Sequence, residues 1–365
     1  MLLNAMSAFM GADDNREVGK YLPSVEYEEK IMEFVDMKVG VDYKIYDVDL
    51  PQSKGHIHTL EAGFDNKVVL VLVHGYAAAA VFYFKVIKEL KDHFHIYSID
   101  LFGLGSSARP KMSKFEVDDV LSFFIDPLEE WRKVLNLTNF VLMGHSMGGY
   151  ICAHYLMMKR PPLKMLYLLS PAGFTKRSEE EMEEELKDWN SGRSFFEKLK
   201  GYVFNLVELK KVSPFDFLIF GRMNSLKRYF SGGRLRLTER EAEVFTEYFA
   251  STLEKRLSGE KALGVLLHFA RYSRKPIIDA LVEMDQAGQL TIPVKVMYGV
   301  ADWMDSQHTE HMNKHVGLHL DIVYIQNADH QIIYQNPEGL AKILKDDKKR
   351  GYENISKEFN SSRKK

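Results

Sequence analysis

Four short, uninterrupted apolar segments limit the folds open to this chain more than any other feature. In sequence order they are VVLVLV from Val68, HIYSIDL from His95, NFVLMG from Asn139 and KMLYLLS from Lys164. Continuous apolar runs are typical of parallel strands that helices cover on both faces of the sheet. Helical patterns at 115–136 and 148–159 separate these runs. This strand–helix alternation predicts an α/β protein with a mostly parallel, doubly wound sheet.

The length of the chain predicts an addition to the core. A single hydrophobic core stops growing at roughly 250–300 residues, and this chain has 365. We assign 1–40 to an N-terminal extension with one helix, 41–172 together with 292–347 to the core, and 173–291 to an inserted helical cap. The tail at 348–365 is charged and polar, which predicts disorder.

Two segments ahead of the core runs have a different pattern. YKIYDVDL and HIHTLEAG alternate apolar and polar residues, which predicts an antiparallel pair at one edge of the sheet. The helix of the N-terminal extension is expected to open after Pro23, with Ser24 as its N-cap. Tyr27 and Ile31 would then share one face of that helix.

Charge and composition exclude several classes of protein. Lys and Arg number 49 against 51 Asp and Glu, and this balance argues against a nucleic-acid partner. The single cysteine, Cys152, rules out an internal disulfide bond. The N-terminal segment lacks the basic start of a secretion signal, and the run from Val68 is far shorter than the ~20 residues of a membrane-spanning helix. We therefore expect a cytoplasmic protein whose contact with lipid droplets or organelle membranes, if any, is peripheral.

The segment Gly144-His145-Ser146-Met147-Gly148 lies between a predicted strand and a predicted helix. This G-x-S-x-G pattern is typical of a sharp turn that presents a nucleophilic serine above a sheet. The turn needs small residues beside the serine, and Gly144 and Gly148 meet that requirement. Ser146 is therefore the candidate nucleophile, close to the positive end of the following helix.

A nucleophilic serine needs a base that a third group orients, and two later segments offer these groups. His330 follows the last predicted strand, in QNADHQIIYQNPE, and is the candidate base. The acid should end the preceding strand, in GVADWMD, where Asp302 and Asp305 compete. We favour Asp302, which sits at the end of the strand within reach of His330, and keep Asp305 as the alternative.

Two loops supply candidate donors for the oxyanion, the negative oxygen that forms when a serine attacks an ester carbonyl. One donor is the backbone N–H of Met147, next to the nucleophile. The other is the N–H of Tyr76, in the loop His74-Gly75-Tyr76-Ala77 after the strand VVLVLV. Gly75 allows the tight turn there, and we expect His74 to hold the loop rather than act as a second base.

Five segments together resemble one known family. They are HGYAAA, FIDPLEEWRKVLNLTNF, GHSMGGY, SPAGF and GVADWMD. With them, the chain from Val68 to Glu338 is similar to the α/β-hydrolase-domain subfamily of lipid metabolism. This subfamily includes an animal lipid-droplet coactivator of triacylglycerol lipase, a lyso-N-acylphosphatidylethanolamine lipase, a plant counterpart, and a yeast group of cardiolipin deacylase and lysophosphatidate acyltransferase. The resemblance implies an α/β-hydrolase fold with a helical cap, and action on lipid acyl groups at a membrane or droplet surface.

The chain has the nucleophilic serine that one member of the subfamily lacks, and it lacks two other features of the subfamily. The animal coactivator has lost its nucleophilic serine, whereas Ser146 is present here. The acyltransferase motif HxxxxD begins at the triad histidine, and Gln335 stands where its aspartate would fall, which argues against acyl transfer by this motif. The tryptophan-rich droplet anchor of the coactivator has no match, since the tryptophans are Trp131, Trp189 and Trp303. Contact with a lipid surface would therefore use the cap or the aliphatic N-terminus.

Together these features predict a serine hydrolase, a lipase or phospholipase that acts on acyl esters of glycerophospholipids or lysophospholipids through Ser146, His330 and Asp302. The chemistry requires neither a metal ion nor an organic cofactor. Three alternatives stay open: a lysophosphatidate acyltransferase, a non-catalytic partner that activates a separate lipase, and a peptidase of the prolyl-aminopeptidase type.

Overall fold

The fold comes from a computed structural model of the chain. It describes residues 24–175, 222–253, 257–268, 272–304, 306–318 and 320–362. The described strands are β1 (Tyr43–Leu50), β2 (Gly55–Ala62), β3 (Val69–Val73), β4 (His95–Ile99), β5 (Phe140–His145), β6 (Leu163–Leu169), β7 (Leu267–His268), β8 (Tyr272–Ser273), β9 (Val294–Gly299) and β10 (Asp321–Ile325). The described helices are α1 (Ser24–Glu33), α2 (Phe84–Leu90), α3 (Val117–Val134), α4 (Met147–Lys159), α5 (Arg222–Ser231), α6 (Glu239–Leu253), α7 (Leu263–Leu266), α8 (Ile277–Gln286), α9 (Ser306–Val316), α10 (Ile332–Gln335), α11 (Pro337–Arg350) and α12 (Tyr352–Ser362).

Eight of these strands form one twisted central sheet in the order β1-β2-β4-β3-β5-β6-β9-β10. β2 pairs antiparallel with β1 and with β4, and every other neighbour in this sheet is parallel. β7 and β8 form a separate antiparallel pair. The prediction of a mostly parallel α/β sheet with an antiparallel edge is confirmed.

Each face of the sheet carries its own apolar core. Val71 and Val73 of β3 pack into the cluster that includes side chains of α3 and α4. Leu70 and Leu72 point to the other face and join a cluster with side chains of α1 and α2. All four are fully buried. Because both faces are covered, every position of the strand must be apolar, which explains the uninterrupted runs in the sequence.

The described part of the predicted cap consists mostly of helices, α5 to α8, and α6 lies against the N-terminal helix. Tyr248 of α6 donates a hydrogen bond to Glu28 of α1 at 3.1 Å, and the same carboxylate lies 2.8 Å from His58 Nε2 on β2. Burial would lower the pKa of His58, but the charge of Glu28 and the hydrogen bond to Asp47 raise it to about 10. A buried cation therefore joins α1 to the sheet, directly beneath the cap. Residues 1–23 and 176–221 lie outside the described part of the chain, so the cap boundaries stay a prediction.

The prediction of a disordered tail at 348–365 is wrong for the part that the structure describes. α11 continues to Arg350, and α12 follows it directly. Tyr352, Ile355 and Phe359 are buried, and their spacing puts them on one face of a helix. The polar and charged residues between them cover the opposite face, so the composition of the tail concealed an amphipathic helix.

Candidate active site

Ser146 lies in the turn between β5 and α4, with backbone angles of φ 53° and ψ −120°. A residue other than glycine seldom adopts a positive φ, and such strain persists only where the surroundings impose it. Here the N–H of Ser146 donates to the carbonyl of Leu169 at 2.9 Å. The carbonyl of Ser146 accepts from the N–H groups of Tyr150 at 3.1 Å and Ala172 at 3.2 Å. These three hydrogen bonds hold the serine in its strained position.

The glycines of the turn allow it to pack directly against other backbone. A Cβ added at Gly144 would lie 2.5 Å from the carbonyl oxygen of Gly148, and one added at Gly148 would lie 2.4 Å from that of His74. Both distances are too short for any side chain. A Cβ at Gly75 would lie 3.0 Å from the Cβ of Ser146. The loop after β3 therefore runs directly beside the serine.

His330 lies in the loop between β10 and α10, where it contacts the two other predicted residues. Its Nε2 is 3.0 Å from Ser146 Oγ, and its Nδ1 is 3.2 Å from Asp302 Oδ1. A proton on Nδ1 would be donated to Asp302, which leaves Nε2 to accept the hydroxyl of Ser146. The His330 and Asp302 side chains are 7% and 1% exposed, so solvent screens their interaction only weakly.

Asp302 follows β9, and several donors stabilise its negative charge. Burial alone would raise the pKa of Asp302. The hydrogen bond and charge of His330 and the N–H of Met304 outweigh burial and lower that pKa. The carboxylate is therefore ionised at neutral pH, as a group that orients an imidazole must be. The alternative acid, Asp305, lies outside the described residues.

His145 is a residue of the site that sequence reasoning missed. Its Nε2 donates to the backbone carbonyl of His330 at 2.8 Å, and the two imidazole rings are 4.9 Å apart. Burial, followed by the proximity of His330, lowers the pKa of His145 to about 3, so its ring is neutral. His145 thus connects the serine turn to the loop of His330. Its place directly before the serine was the one available signal.

His74 contacts the backbone on both sides of its ring. His74 Nδ1 lies 2.7 Å from the carbonyl oxygen of Gly75, and Nε2 accepts the N–H of Leu101 at 3.0 Å. Burial lowers the pKa of His74, and a neutral ring fits one donated and one accepted bond. Farther along the loop, the hydroxyl of Tyr76 donates to the carbonyl of Glu260 at 2.9 Å, which links the loop to the inserted region.

A cavity of about 230 Å³ is lined by four of the predicted site residues. Tyr76, Ser146, Met147 and His330 line it, and its other lining residues include apolar ones. The apolar lining residues are Ala77, Ala78, Phe82, Leu263, Leu267 and Ile333. A larger open groove of about 920 Å³ is bordered by α3 and contains none of the predicted site residues. The smaller cavity therefore brings the hydroxyl of Ser146 and the imidazole of His330 next to apolar side chains, as in pockets that bind apolar ligands.

The sequence profile of the alpha/beta hydrolase fold matches residues 68–337. The chain belongs to the alpha/beta hydrolase family. The matched range contains the serine turn, the loop of His330, and strand β4, at which the pairing of the sheet changes from antiparallel to parallel. The described helices include none long and apolar enough to span a membrane.

Relatives of this chain carry names from lipid metabolism. A protein of Oryza sativa subsp. japonica named "Probable 1-acylglycerol-3-phosphate O-acyltransferase" is 32% identical over 291 residues, which cover 77% of this chain and 67% of the rice protein. A 1-acylglycerol-3-phosphate O-acyltransferase of Arabidopsis thaliana is 30% identical and is covered over 65% of its length. The human "1-acylglycerol-3-phosphate O-acyltransferase ABHD5" is 25% identical, with 77% of each chain covered. The predicted resemblance to the lipid-metabolism subfamily is confirmed.

Solved structures agree on the fold. Cfl2 of Burkholderia cenocepacia superimposes with a TM-score of 0.62 at 18% identity, over 84% of this chain and 95% of Cfl2. The carboxylesterase CesB of Bacillus subtilis gives a TM-score of 0.57 at 14% identity, over 88% and 95% of the two chains. A membrane phospholipase A described as a bacterial virulence factor gives 0.58 at 17% identity, over 98% and 97%. The predicted α/β-hydrolase fold is confirmed.

Proposed function

We propose that this hydrolase is a serine esterase that acts on the acyl esters of glycerophospholipids or lysophospholipids. The observation that carries the proposal is the series Ser146–His330–Asp302, in which a hydroxyl, an imidazole and a carboxylate lie within hydrogen-bonding distance in that order. The names of the plant and animal relatives support a lipid substrate.

In the proposed reaction, Ser146 Oγ attacks the ester carbonyl carbon while His330 Nε2 takes the hydroxyl proton. Asp302 holds Nδ1 and stabilises the resulting imidazolium. The N–H groups of Tyr76 and Met147 donate to the carbonyl oxygen as it becomes negative, a contribution of about 2.7–4 kcal/mol per donor. His330 then gives its proton to the departing alkoxide, and the acyl group stays on Ser146. Water attacks this acyl ester with His330 as base, which releases a fatty acid and restores the serine.

The first test compares the wild type with Ser146→Ala on vesicles of mixed phospholipid, lysophospholipid and triacylglycerol. We expect fatty acid and one matching lysolipid or glycerol derivative, detected by mass spectrometry, with the wild type only. Ser361→Ala is a matched control, because its exposed hydroxyl donates only to the carbonyl of Lys357 in its own helix. Fatty-acid release by Ser146→Ala would overturn the mechanism. A folded wild type that changes no lipid would favour the non-catalytic lipase partner instead.

The role of Asp302 is tested against its alternative. Asp302→Asn should lower kcat by roughly 10⁴-fold, as loss of the orienting carboxylate does in other serine hydrolases. Asp305→Asn should leave most activity intact. If Asp305→Asn removes activity and Asp302→Asn does not, the assignment of the acid is reversed.

Acyl transfer is the second candidate function, favoured by the acyltransferase names of the relatives. The same acyl-serine would then be attacked by a lysolipid hydroxyl instead of water. Lysophosphatidate supplied with an acyl donor would give phosphatidate, and Ser146→Ala would give none. Phosphatidate that still forms with Ser146→Ala would exclude this route through the serine.

A further inference from the structure

The loop between α5 and α6 lies against the loop that carries His330. Leu235 anchors this α5–α6 loop, since its side chain is 2% exposed and packs into the core. In the residue before Leu235, the Nε of Arg234 donates to Asp329 Oδ2 at 3.0 Å. In the residue after Leu235, the side chain of Arg236 donates to the carbonyl of Gln335 at 2.9 Å. The inserted region is therefore fastened beside the candidate base.

Gln335 joins the two loops through both ends of its amide. Its Nε2 donates to the carbonyl of Arg234 at 2.7 Å, and its Oε1 accepts the N–H of Asp329 at 2.6 Å. An aspartate at this position, as in the HxxxxD pattern, has no donor for the carbonyl of Arg234. The glutamine thus fixes the backbone of Arg234 relative to the residue before His330.

The guanidinium of Arg234 is hydrogen-bonded through Nε, and the side chain is partly exposed to solvent. The Nε of Arg234 is hydrogen-bonded to Asp329. Burial would raise the pKa of Asp329, but the N–H of Gln331 and the Arg234 guanidinium outweigh it and lower that pKa. The two terminal amino groups of Arg234 make no hydrogen bond with the residues that the structure describes, and the side chain is 54% exposed. Arg234 also lines the cavity of Ser146 and His330. A positioned guanidinium with two available amino groups matches the oxygens of a phosphate.

We propose that Arg234 binds the phosphate group of an anionic acyl lipid, a lysophosphatidate or phosphatidate, and so selects the substrate of this site. The inference rests on the proposed function, because it takes the cavity of Ser146 as the place where the ester is cleaved. The acyl chain would lie along the apolar side of the cavity, with the phosphate at Arg234. A neutral lipid of equal chain length would lose this contact and keep the rest.

The test compares lysophosphatidate with monoacylglycerol of the same acyl chain, since the two differ only by the phosphate. Arg234→Gln should lower kcat/KM for lysophosphatidate by about 10- to 100-fold, the range for a lost hydrogen bond to a charged group. The loss should fall mainly on KM, and kcat/KM for monoacylglycerol should fall much less, because that lipid has no phosphate contact to lose. Arg234→Lys should restore part of the lost activity as a point charge. Arg236→Gln is the matched control, because it breaks a contact of the same loop without removing a cation from the cavity.

A binding measurement separates this inference from the proposed function. Calorimetric titration of Ser146→Ala with a short-chain, monomeric lysophosphatidate should give a Kd that Arg234→Gln raises by the same factor. Inorganic phosphate should compete only weakly, because it lacks the acyl chain. A wild type that binds lysophosphatidate through Arg234 but hydrolyses no lipid would refute the esterase alone. Equal losses on both lipids, or an unchanged Kd after Arg234→Gln, would refute phosphate recognition alone.

Discussion

Replacing His145 by alanine removes the hydrogen bond that joins the serine turn to the loop of His330. The bond is 2.8 Å long, and the imidazole that donates it is 4% exposed. The carbonyl of His330 would lose its donor where water does not readily replace it. An unsatisfied buried acceptor costs about 1–3 kcal/mol. If the same free energy is needed to align His330 with Ser146 in the variant, kcat/KM should drop about 5- to 150-fold.

His154 provides the matched control for this experiment. It is fully buried on α4, burial lowers its pKa to about 4, and its Nε2 donates to the carbonyl of Lys275 at 3.0 Å. His154→Ala therefore removes the same chemical group from the same kind of environment without touching the site. Both variants should lose a similar free energy of unfolding, about 1–3 kcal/mol.

The assay measures kcat/KM on a soluble chromogenic acyl ester, together with urea unfolding of each variant. We expect His145→Ala to lose activity and His154→Ala to keep it, at comparable stability. His145→Gln, which keeps a donor, should recover part of the activity. Equal activity of the two alanine variants would refute the view that His145 positions His330.

Three further predictions concern stability. Lys295→Met should lower the free energy of unfolding by about 3–5 kcal/mol, because the Lys295 Nζ lies 2.7 and 2.9 Å from the buried Asp347 carboxylate. Burial would raise the pKa of Glu129, but the hydrogen bonds from Arg132 and Tyr155 lower it to about 2. Because this folded-state pKa is depressed, Glu129 makes its full contribution to the free energy of unfolding above its ordinary pKa of 4.5 and loses it as the pH falls towards 2. The Tm difference between the wild type and Glu129→Gln should therefore vanish across that pH range. Phe359→Ala should cost about 3–5 kcal/mol, since the ring is 8% exposed in the core.

Each of these outcomes has a direct contradiction. Urea unfolding of Lys295→Met that matches the exposed control Lys342→Met would show that the buried ion pair stabilises nothing. A Tm difference for Glu129→Gln that stays constant between pH 4.5 and 2 would refute the depressed pKa. Stability of Phe359→Ala equal to the wild type would restore the prediction of a disordered tail.

The features that the sequence predicted well are those set by neighbours in the chain. The run from Val68 is apolar at every position because helices cover both faces of its strand, so the uninterrupted runs alone indicated the layer structure. The turn at Ser146 was readable for a similar reason, since the strand, the glycines and the helix that shape it are contiguous. Chain order then made His330 the predicted base, and the structure places its Nε2 3.0 Å from Ser146 Oγ.

The features that the sequence did not predict depend on contacts between distant segments. The hydrogen bond from His145 to His330 spans 185 positions, and no periodicity records it. Gln335 was noted only as a departure from a motif, although its amide joins two loops. The tail was misjudged because its composition is polar, while the spacing of Tyr352, Ile355 and Phe359 determined the outcome.

The central sheet is assembled from two separate lengths of chain. β1 to β6 precede the inserted region and β9 and β10 follow it, and the two lengths meet where Leu166–Leu169 pair with Val294–Met297. Ser146 belongs to the first length, and Asp302 and His330 belong to the second. A chain cut within the inserted region would therefore yield two fragments, neither of which can bring a hydroxyl to an imidazole. The three side chains would meet again only when the fragments reassociate with β6 paired to β9, so the fold is a scaffold for a two-fragment complementation reporter.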